Sequence, residues 1–320
     1  MAAPPPPPPA SENETLLFAA VPSQLRQADL AMIGNLHRRV GDTGPARGAW
    51  ARVIYSDLDI QQSGGVGPSS SGHVSGLQAG SDLLAADNWH AGVFVGSLDG
   101  NVDVSGNARG VFGSVGRNDL RSGYLGGYAT WMDATGWYAD AVLQAGDHRY
   151  DVRSNADLPT SGKARSYSTS LEAGKSFALA GAWSIEPQGQ LMYLSTRFDD
   201  VWTSSARVHQ DAEGGWIGRL GVRIKGELFT AAGRLQPYAR VNVYRAASGS
   251  DVVTFTGLAG GANRVSTASG YTSTEVAGGF SLALTAATMI YGEVGRLFSS
   301  GGDARVKSSV QGSLGVRVSW

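Results

Sequence analysis

The sequence lacks three features that would place it in a common class of protein. Its 320 residues include no cysteine, which excludes a disulfide framework and thiolate metal sites. No window approaches the roughly 18 consecutive apolar residues of a membrane-spanning helix, so a helical membrane protein is excluded. The formal net charge of −1 gives no basic field, and nucleic acid is therefore not an expected partner.

Apolar residues are modest in number but regularly spaced. They make up 42% of the chain, which is low for a protein with a dry core. A transmembrane β-barrel places apolar side chains at every second residue, so that its hydropathy averages out while the alternation persists. The composition is therefore compatible with a membrane barrel.

The last stretch, residues 306–320, shows the alternation most clearly. One parity holds Val310, Leu314, Val316, Val318 and Trp320, and the other holds Gln311, Ser313, Arg317 and Ser319. An unpaired charge such as Arg317 is costly to bury inside a soluble sandwich, whereas the inner face of a membrane barrel meets water. We predict that this is the closing strand of a barrel, with Arg317 in the lumen and Trp320 beside the start of the first strand.

Twelve strand candidates follow residue 46, and their connections alternate in length. They span residues 46–60, 70–85, 89–104, 118–133, 136–154, 163–178, 182–198, 207–229, 234–247, 268–285, 287–299 and 305–320. Tight turns such as Asp87-Asn88 alternate with longer connections at 106–116, 155–162 and 248–267. An even strand number and two unlike rims predict an all-β, 12-stranded antiparallel transmembrane β-barrel over residues 46–320.

Charged residues within these strands share the parity opposite to the apolar ones. The candidates for the lumen face are Arg52, Asp140, Glu172, Glu186, Arg219, Arg223, Arg240 and Arg317. They either form a solvated wall or make charge-assisted hydrogen bonds to a segment inside the lumen. The strand at 287–299 has no defined orientation, because Glu293 and Arg296 differ in parity.

The N-terminal segment predicts a spacer followed by a helix. Residues 1–10 contain six consecutive prolines, which form an extended linker. The chain starts without the basic and apolar regions of a signal peptide, and we expect it to be a fragment of a longer exported protein. Ser11 and Glu14 form a capping box, Pro22 interrupts the helix, and a second helix follows to Gly41. We predict that residues 11–41 fill the lumen of the barrel as a weakly amphipathic plug.

Several of these segments resemble one protein family. Residues 14–26 and 32–42 resemble the linker helix that precedes the β-domain of autotransporters, the proteins of type V secretion. The barrel strings at 136–141, 171–174, 185–190, 235–240 and 312–320 resemble the same family. Each string is short, but their order and spacing together cover nearly the whole chain from residue 14.

The resemblance implies a translocator domain in the outer membrane of a Gram-negative bacterium. Such a domain anchors an N-terminal passenger and helps to export it, with the linker helix threaded through the lumen. The implied partners are outer-membrane lipid, the barrel-assembly machinery and the passenger, and we expect a monomer without cofactor or metal. Leu314, Val316, Val318 and Trp320 resemble the signal by which the machinery recognises its clients. Anchoring at the membrane interface is the alternative role for Trp320.

Enzymatic activity is the main competing hypothesis. Some relatives cut the linker helix at an Asn-Asn pair, where an Asn cyclises on its own peptide bond. Here the matching pair is Gly34-Asn35, so Asn35 is the only candidate processing site and we expect no cleavage. A barrel with hydrolase or self-cleaving activity and a passive porin remain as alternatives. The five histidines are scattered, without the spacing of a metal site.

Overall fold

The computed structural model describes residues 10–34, 46–258 and 260–320. It consists of one helix, α1 (Glu12–Ile33), inside a closed 12-stranded antiparallel β-barrel. The barrel strands, numbered β1 to β12 in chain order, are Gly48–Gln61, Ser69–Ala86, Trp89–Ala108, Val111–Met132, Trp137–Ser154, Thr160–Lys175, Trp183–Phe198, Gly215–Gly226, Gly233–Ala246, Tyr271–Ala283, Thr288–Gly302 and Arg305–Ser319. The predicted fold class is confirmed.

The barrel closes between its first and last strands. Each strand pairs antiparallel with the next, and β12 pairs with β1 so that Ser319 lies opposite Gly48. The Trp320 N–H donates to the Arg47 carbonyl at 2.9 Å, which confirms the predicted position of Trp320. We call this end, with the tight turn at 87–88, the turn rim. The opposite end, which carries the connections 62–68, 199–214 and 247–270, is the loop rim.

The predicted boundaries are wrong at three places on the loop rim, and two of them belong to one separate sheet. The strand predicted at 207–229 is divided, because Ala206–Asp211 leaves the barrel before β8 begins at Gly215. The connection predicted at 248–267 contains a hairpin, Ser250–Gly257 with Ala262–Ala268. These segments and Val201–Trp202 form a separate four-stranded sheet above the barrel. Its apolar side chains face α1, and this contact explains why the strands leave the barrel wall.

The connection predicted at 106–116 is also wrong, because β3 and β4 continue through it. They meet in a two-residue turn at Arg109-Gly110, where both residues have positive φ, 52° and 76°. This conformation is typical of tight hairpin turns. Val104 and Val115 in the extended part are buried, so the alternating pattern runs on above the membrane to cover α1.

The barrel is polar inside and apolar outside. In β5 and β6, Asp140 and Glu172 are buried while Leu143 and Leu171 are more than 60% exposed on the outer face. A soluble protein shows the opposite arrangement, so the outer face is built for lipid. In β11, the strand without a predicted orientation, Glu293 points inward and Arg296 points outward. Their opposite parity is thus ordinary alternation.

Helix α1 is continuous, and the predicted interruption at Pro22 is wrong. Ser11 caps its start by accepting from the Glu14 N–H at 3.1 Å. Proline removes one helical donor, which leaves the carbonyl of Phe18 without its usual partner four residues on. The Gln210 side chain donates to this carbonyl at 2.9 Å. The barrel therefore supplies the hydrogen bond that Pro22 cannot make. Residues 35–41 of the predicted linker lie outside the described part of the chain.

Candidate functional site in the barrel lumen

Helix α1 extends from the loop rim into the middle of the lumen. Its 22 residues correspond to a length of about 33 Å. At its start, the Ser11 hydroxyl donates to the Asp157 carboxylate at 2.6 Å, and the Glu12 carboxylate accepts from the Arg109 N–H. Both partners lie in connections at the loop rim. The N-terminal end of α1 therefore lies at the end of the barrel opposite Trp320.

The first half of α1 is surrounded by apolar side chains. We define the upper lumen by the buried helix residues 16–21 and Leu25 with the wall that covers them. The wall consists of Val102, Val104, Val115, Leu120, Val152, Ala164, Val208, Val253 and Phe255. Phe18 meets Phe255 edge to face at 6.0 Å between ring centroids. The polar lumen face expected from the charged positions is therefore replaced by apolar side chains in this part of the barrel.

Two glycines of β3 allow the helix to approach the wall closely. A Cβ at Gly106 would lie 2.7 Å from Leu16, and a Cβ at Gly96 would lie 2.7 Å from the Met32 sulfur. Larger residues at either position would force the Leu16 or Met32 side chain to move. The two glycines thus leave room for these side chains against β3.

Several polar side chains of α1 are paired with the wall. Arg26 makes a two-pronged contact to Asp251, at 2.8 and 3.2 Å. Asn118 donates to Gln24 at 3.0 Å, and Gln24 in turn donates to Ser70 at 3.0 Å. Contacts of this kind fix orientation, since another rotation of the helix leaves these buried polar groups without their partners.

A buried cluster around Asp29 contains the residue types of a hydrolase but lacks access to substrate. His148 lies between two serine hydroxyls, each 2.8 Å from a ring nitrogen, and Ser166 donates to Asp29 at 3.1 Å. The side chains of His148 and Asp29 have no exposed surface. The cluster therefore joins α1 to β5 and β6, and no nucleophile faces solvent.

The wall also caps the end of α1. The last carbonyls of a helix have no partner within it. The Arg52 guanidinium donates to the Met32 carbonyl at 3.0 Å and to the Gly34 carbonyl at 3.4 Å. The Gln78 side-chain amide donates to the same Met32 oxygen at 3.3 Å. Arg52 also donates to the side-chain oxygen of Gln78, at 2.7 Å. The sequence-predicted lumen residue Arg52 thus contacts the helix directly.

Between Gly34 and the turn rim the wall is charged, and we call this part the lower lumen. Arg219 pairs with Glu172 at 2.9 Å, and Arg223 pairs with Glu186 at 2.7 Å. A third pair joins Arg317 to Asp82 at 2.6 Å. Each pair joins two different strands. The ion pairs thereby link strands of the wall, and the charged groups remain on the lumen face.

Arg240 is the centre of the fourth group in the lower lumen. Its guanidinium contacts Glu275 at 3.0 Å and Glu293 at 2.8 Å. Asn242 donates to Glu275 at 2.6 Å, and Tyr238 donates to Glu293 at 3.1 Å. The two carboxylates were not among the predicted site residues. The alternation of Glu275 with Val276 is the sequence signal that points to one of them.

The pair of Asp82 and Arg317 closes the barrel on its inner face. Asp82 lies in β2 and Arg317 in β12, with β1 between them. Asp82 also accepts from the Gly48 N–H at 3.0 Å and from the Tyr128 hydroxyl at 2.7 Å. Trp50 of β1 donates to Tyr128 at 3.1 Å. The Asp82 carboxylate of β2 therefore has contacts from three other strands, β1, β4 and β12.

The remaining predicted site residues fall on the expected faces. Asp140 is buried in the lumen and accepts a hydrogen bond from Thr130. The four residues of the predicted assembly signal, Leu314, Val316, Val318 and Trp320, are exposed on the outer face. Asn35 lies outside the described residues. The part of the chain that the structure describes contains no group of three or more His, Asp or Glu side chains arranged to hold a metal ion. Within the same ranges, no helix is long and apolar enough to cross a bilayer.

Sequence comparison identifies relatives of this barrel. The profile of the family described as "Autotransporter beta-domain" matches residues 49–295. The pertactin autotransporter of Bordetella bronchiseptica is 29% identical over 236 residues, which cover 70% of this chain and 25% of pertactin. The BrkA autotransporter of Bordetella pertussis is 30% identical over 246 residues, which cover 70% of this chain and 23% of BrkA. The chain thus spans about a quarter of the length of these relatives.

Solved structures share the fold. The β-domain of the Bordetella autotransporter BrkA has a TM-score of 0.65 and 24% identity, and covers 86% of this chain and 100% of that one. The transport unit of AIDA-I from Escherichia coli has a TM-score of 0.71 and 15% identity, and covers 93% and 98%. Domains of this family are barrels of the Gram-negative outer membrane, which is the location of this chain. The chain belongs to the autotransporter β-domain family, as a translocator domain.

Proposed function

We propose that this domain anchors an N-terminal passenger in the outer membrane and helps to export it. The direction of α1 carries the proposal. The helix starts at the loop rim and runs inward, so a passenger attached through the linker at residues 1–10 leaves at the loop rim, the end opposite Trp320. The segment 11–41 then remains in the lumen after export and holds the passenger to the barrel.

The two halves of the lumen support different steps of this process. The lower lumen presents charged and amide side chains, which exchange hydrogen bonds with an extended chain as it passes. The upper lumen presents apolar surface and matched polar groups that fit one helix. We propose that passage ends when α1 docks in the upper lumen, because the docked helix satisfies groups that a passing chain leaves unpaired.

The proposed partners follow from the two surfaces of the wall. The outer apolar belt contacts membrane lipid, and the exposed residues Leu314, Val316, Val318 and Trp320 serve as the signal for the barrel-assembly machinery. The domain acts as a monomer, because the twelve strands of the described barrel wall pair among themselves in a closed ring and leave no open edge in that wall for another chain.

We further propose that the domain has no enzymatic activity of its own and does not cut the linker at Asn35. Cleavage by cyclisation in the relatives depends on an Asn-Asn pair, and glycine occupies the first position here. Intact-mass measurement after assembly in outer membranes tests this. We expect the full chain, whereas a product that begins at Asn35 or Leu36 and disappears in Asn35→Ala would contradict the proposal.

Export is tested with a reporter fused ahead of Met1 behind an export signal. We expect external protease to remove the reporter from intact cells. The control is Leu158→Ala, which changes an exposed loop residue and leaves the lumen unaltered. Barrel assembly is followed separately, through its resistance to unfolding in detergent gels. An assembled barrel whose reporter stays protected from external protease would overturn the proposal.

A further inference from the structure

Above the apolar belt, the outer face carries a group of exposed cations on four adjacent strands. We define this basic patch by Arg121 of β4, Arg149 of β5, Lys163 and Arg165 of β6, and Arg197 of β7. All five side chains are exposed and point away from the lumen. They lie on the half of the barrel next to the loop rim.

The strand register places these cations directly opposite one another. Arg121 is paired with Arg149, Arg149 with Lys163, and Arg165 with Arg197. Side chains in directly opposite positions of a sheet have Cβ atoms roughly 5 Å apart, and like charges there repel. Three such pairs in neighbouring strands concentrate positive charge at a cost to the isolated barrel.

Carboxylates of the outer face neutralise the patch only in part, since Asp99, Asp119, Asp147 and Asp151 lie beside it. Among the described residues, none of the five cations has an ion pair within 4.0 Å or a side-chain hydrogen bond. Asp99 and Asp147 lie opposite Arg121 and Arg165 in the register, but at longer distances than this. The outward cations nearer the rim differ, since Arg117 pairs with Asp103 at 3.7 Å and Arg153 pairs with Asp119 at 2.5 Å.

The height of the patch matches the headgroup region of a bilayer. Tyr167 follows Arg165 by two residues in β6, towards the apolar belt, and is 60% exposed on the outer face. Tyr193, four residues before Arg197, packs against Trp216 at 5.0 Å. Exposed aromatic side chains of this kind mark the boundary between hydrocarbon and headgroups. A step of two residues along a strand is about 7 Å, which places Arg165 among the headgroups.

We propose that the basic patch binds the phosphate groups of a phosphorylated lipid in the outer leaflet. Arginine guanidinium groups bind phosphate in a two-pronged manner, and a lipid phosphate supplies the close counter-charge that none of the five cations has among the described residues. The patch crosses four strands and therefore spans about 14 Å, enough for more than one phosphate. The proposal concerns the outer wall and stands independently of passenger export.

Native mass spectrometry of the full chain refolded in detergent tests the proposal, with bisphosphorylated lipid A as the probe. The patch variant is Arg149→Gln with Arg165→Gln. The matched control is Arg117→Gln with Arg153→Gln, which removes two exposed arginines that already have partners. We expect the patch variant to bind lipid A roughly tenfold more weakly than wild type, and the control to stay within about twofold.

Two further arms separate phosphate recognition from other causes. Dephosphorylated lipid A that binds wild type as tightly as lipid A does would overturn the proposal, because the acyl chains alone would then explain adsorption. Inorganic phosphate that raises the unfolding temperature as much as lipid A does would also overturn it. Equal losses of lipid A binding in the patch variant and the control would have the same meaning. In lipid-free detergent, we expect the patch variant to unfold no earlier than wild type, because the repulsion is relieved.

Discussion

The upper and lower lumen of this barrel are lined by the same wall but differ in the side chains that face inward. In the upper lumen, apolar residues such as Leu17 and Phe18 pack against a wall that resembles the core of a soluble protein. In the lower lumen, the inward positions hold ion pairs such as Arg219 with Glu172. The first region binds one particular segment tightly, and the second keeps a polar surface beside the path of the chain.

The difference shows how one barrel combines passage with retention. A lumen that is apolar throughout would bind any hydrophobic stretch of a passing chain, and one that is charged throughout would hold the helix weakly. The external sheet formed around Ser250–Gly257 extends the wall beyond the membrane, so the apolar region lies mostly above the bilayer-spanning part. Retention and passage are thereby separated along the axis.

The largest expected change in unfolding free energy comes from Arg317→Met in the lower lumen. Loss of the Arg317 guanidinium leaves the fully buried Asp82 carboxylate without its ion pair, which costs about 3–5 kcal/mol in the free energy of unfolding. Urea unfolding of the refolded barrel, followed by gel mobility, measures this. Arg153→Met is the control, because its pair with Asp119 is exposed and contributes less than about 1 kcal/mol. Equal losses of unfolding free energy in both variants would contradict the role of Asp82 and Arg317 in closing the barrel.

The matching change in the upper lumen is Leu17→Ala. Leu17 has no exposed surface, and a cavity at this position costs about 2–5 kcal/mol of the free energy that holds α1 in place. We expect faster proteolysis within Glu12–Ile33 while the strands remain protected. Leu158→Ala, at an exposed loop position, should leave the digestion rate unchanged. Loss of the barrel together with the helix would show that the two regions are not separable.

A smaller effect tests how Pro22 is accommodated. Gln210→Ala removes the donor to the Phe18 carbonyl, and an unsatisfied buried carbonyl costs about 1–3 kcal/mol. In a Pro22→Ala background, residue 22 regains its N–H and supplies that donor itself. We therefore expect Gln210→Ala to cost less in this background, as measured by a double-mutant cycle of unfolding free energies. An equal cost in both backgrounds would contradict the assigned role of Gln210.

The smallest expected change in unfolding free energy concerns Asp200, in the connection 199–214 at the loop rim. Hydrogen bonds from His209 and Arg207 lower the pKa of the Asp200 carboxyl from its usual value. A depressed pKa in the folded state means stabilisation that is present above the unfolded pKa and is lost as the pH falls through the folded value. The difference in unfolding free energy between wild type and Asp200→Asn should be below about 1 kcal/mol at neutral pH, because the partners are largely exposed. It should vanish in acid, and a difference that grows in acid would contradict this sign.

The sequence predicts the features that depend on local periodicity. Alternation in residues 306–320 is enough to place Arg317 in the lumen and Trp320 at the seam, since a strand repeats every two residues. The strand count and the lumen face of Asp140 and Glu186 follow in the same way. These features need no knowledge of the neighbouring strands.

Features that depend on distant partners were not accessible from the sequence. Gln210 lies 192 residues from Phe18, so the continuity of α1 through Pro22 requires the barrel to be in place. The partner of Arg317 is Asp82, which is 235 residues away and becomes its neighbour only through barrel closure. The apolar upper lumen was missed because Leu16 and Val21 show no amphipathic stripe. Their helix is buried on all sides, and a one-sided stripe is the usual signal.

The central claim is that α1 occupies the lumen and closes a passage whose lower part is polar. Planar-bilayer conductance of the refolded barrel, compared with a variant that lacks residues 1–41, tests it most directly. The account predicts a sharp rise in single-channel conductance on deletion, with the barrel still resistant to unfolding in detergent gels. An inserted, folded deletion variant whose conductance equals that of the full chain would contradict the account.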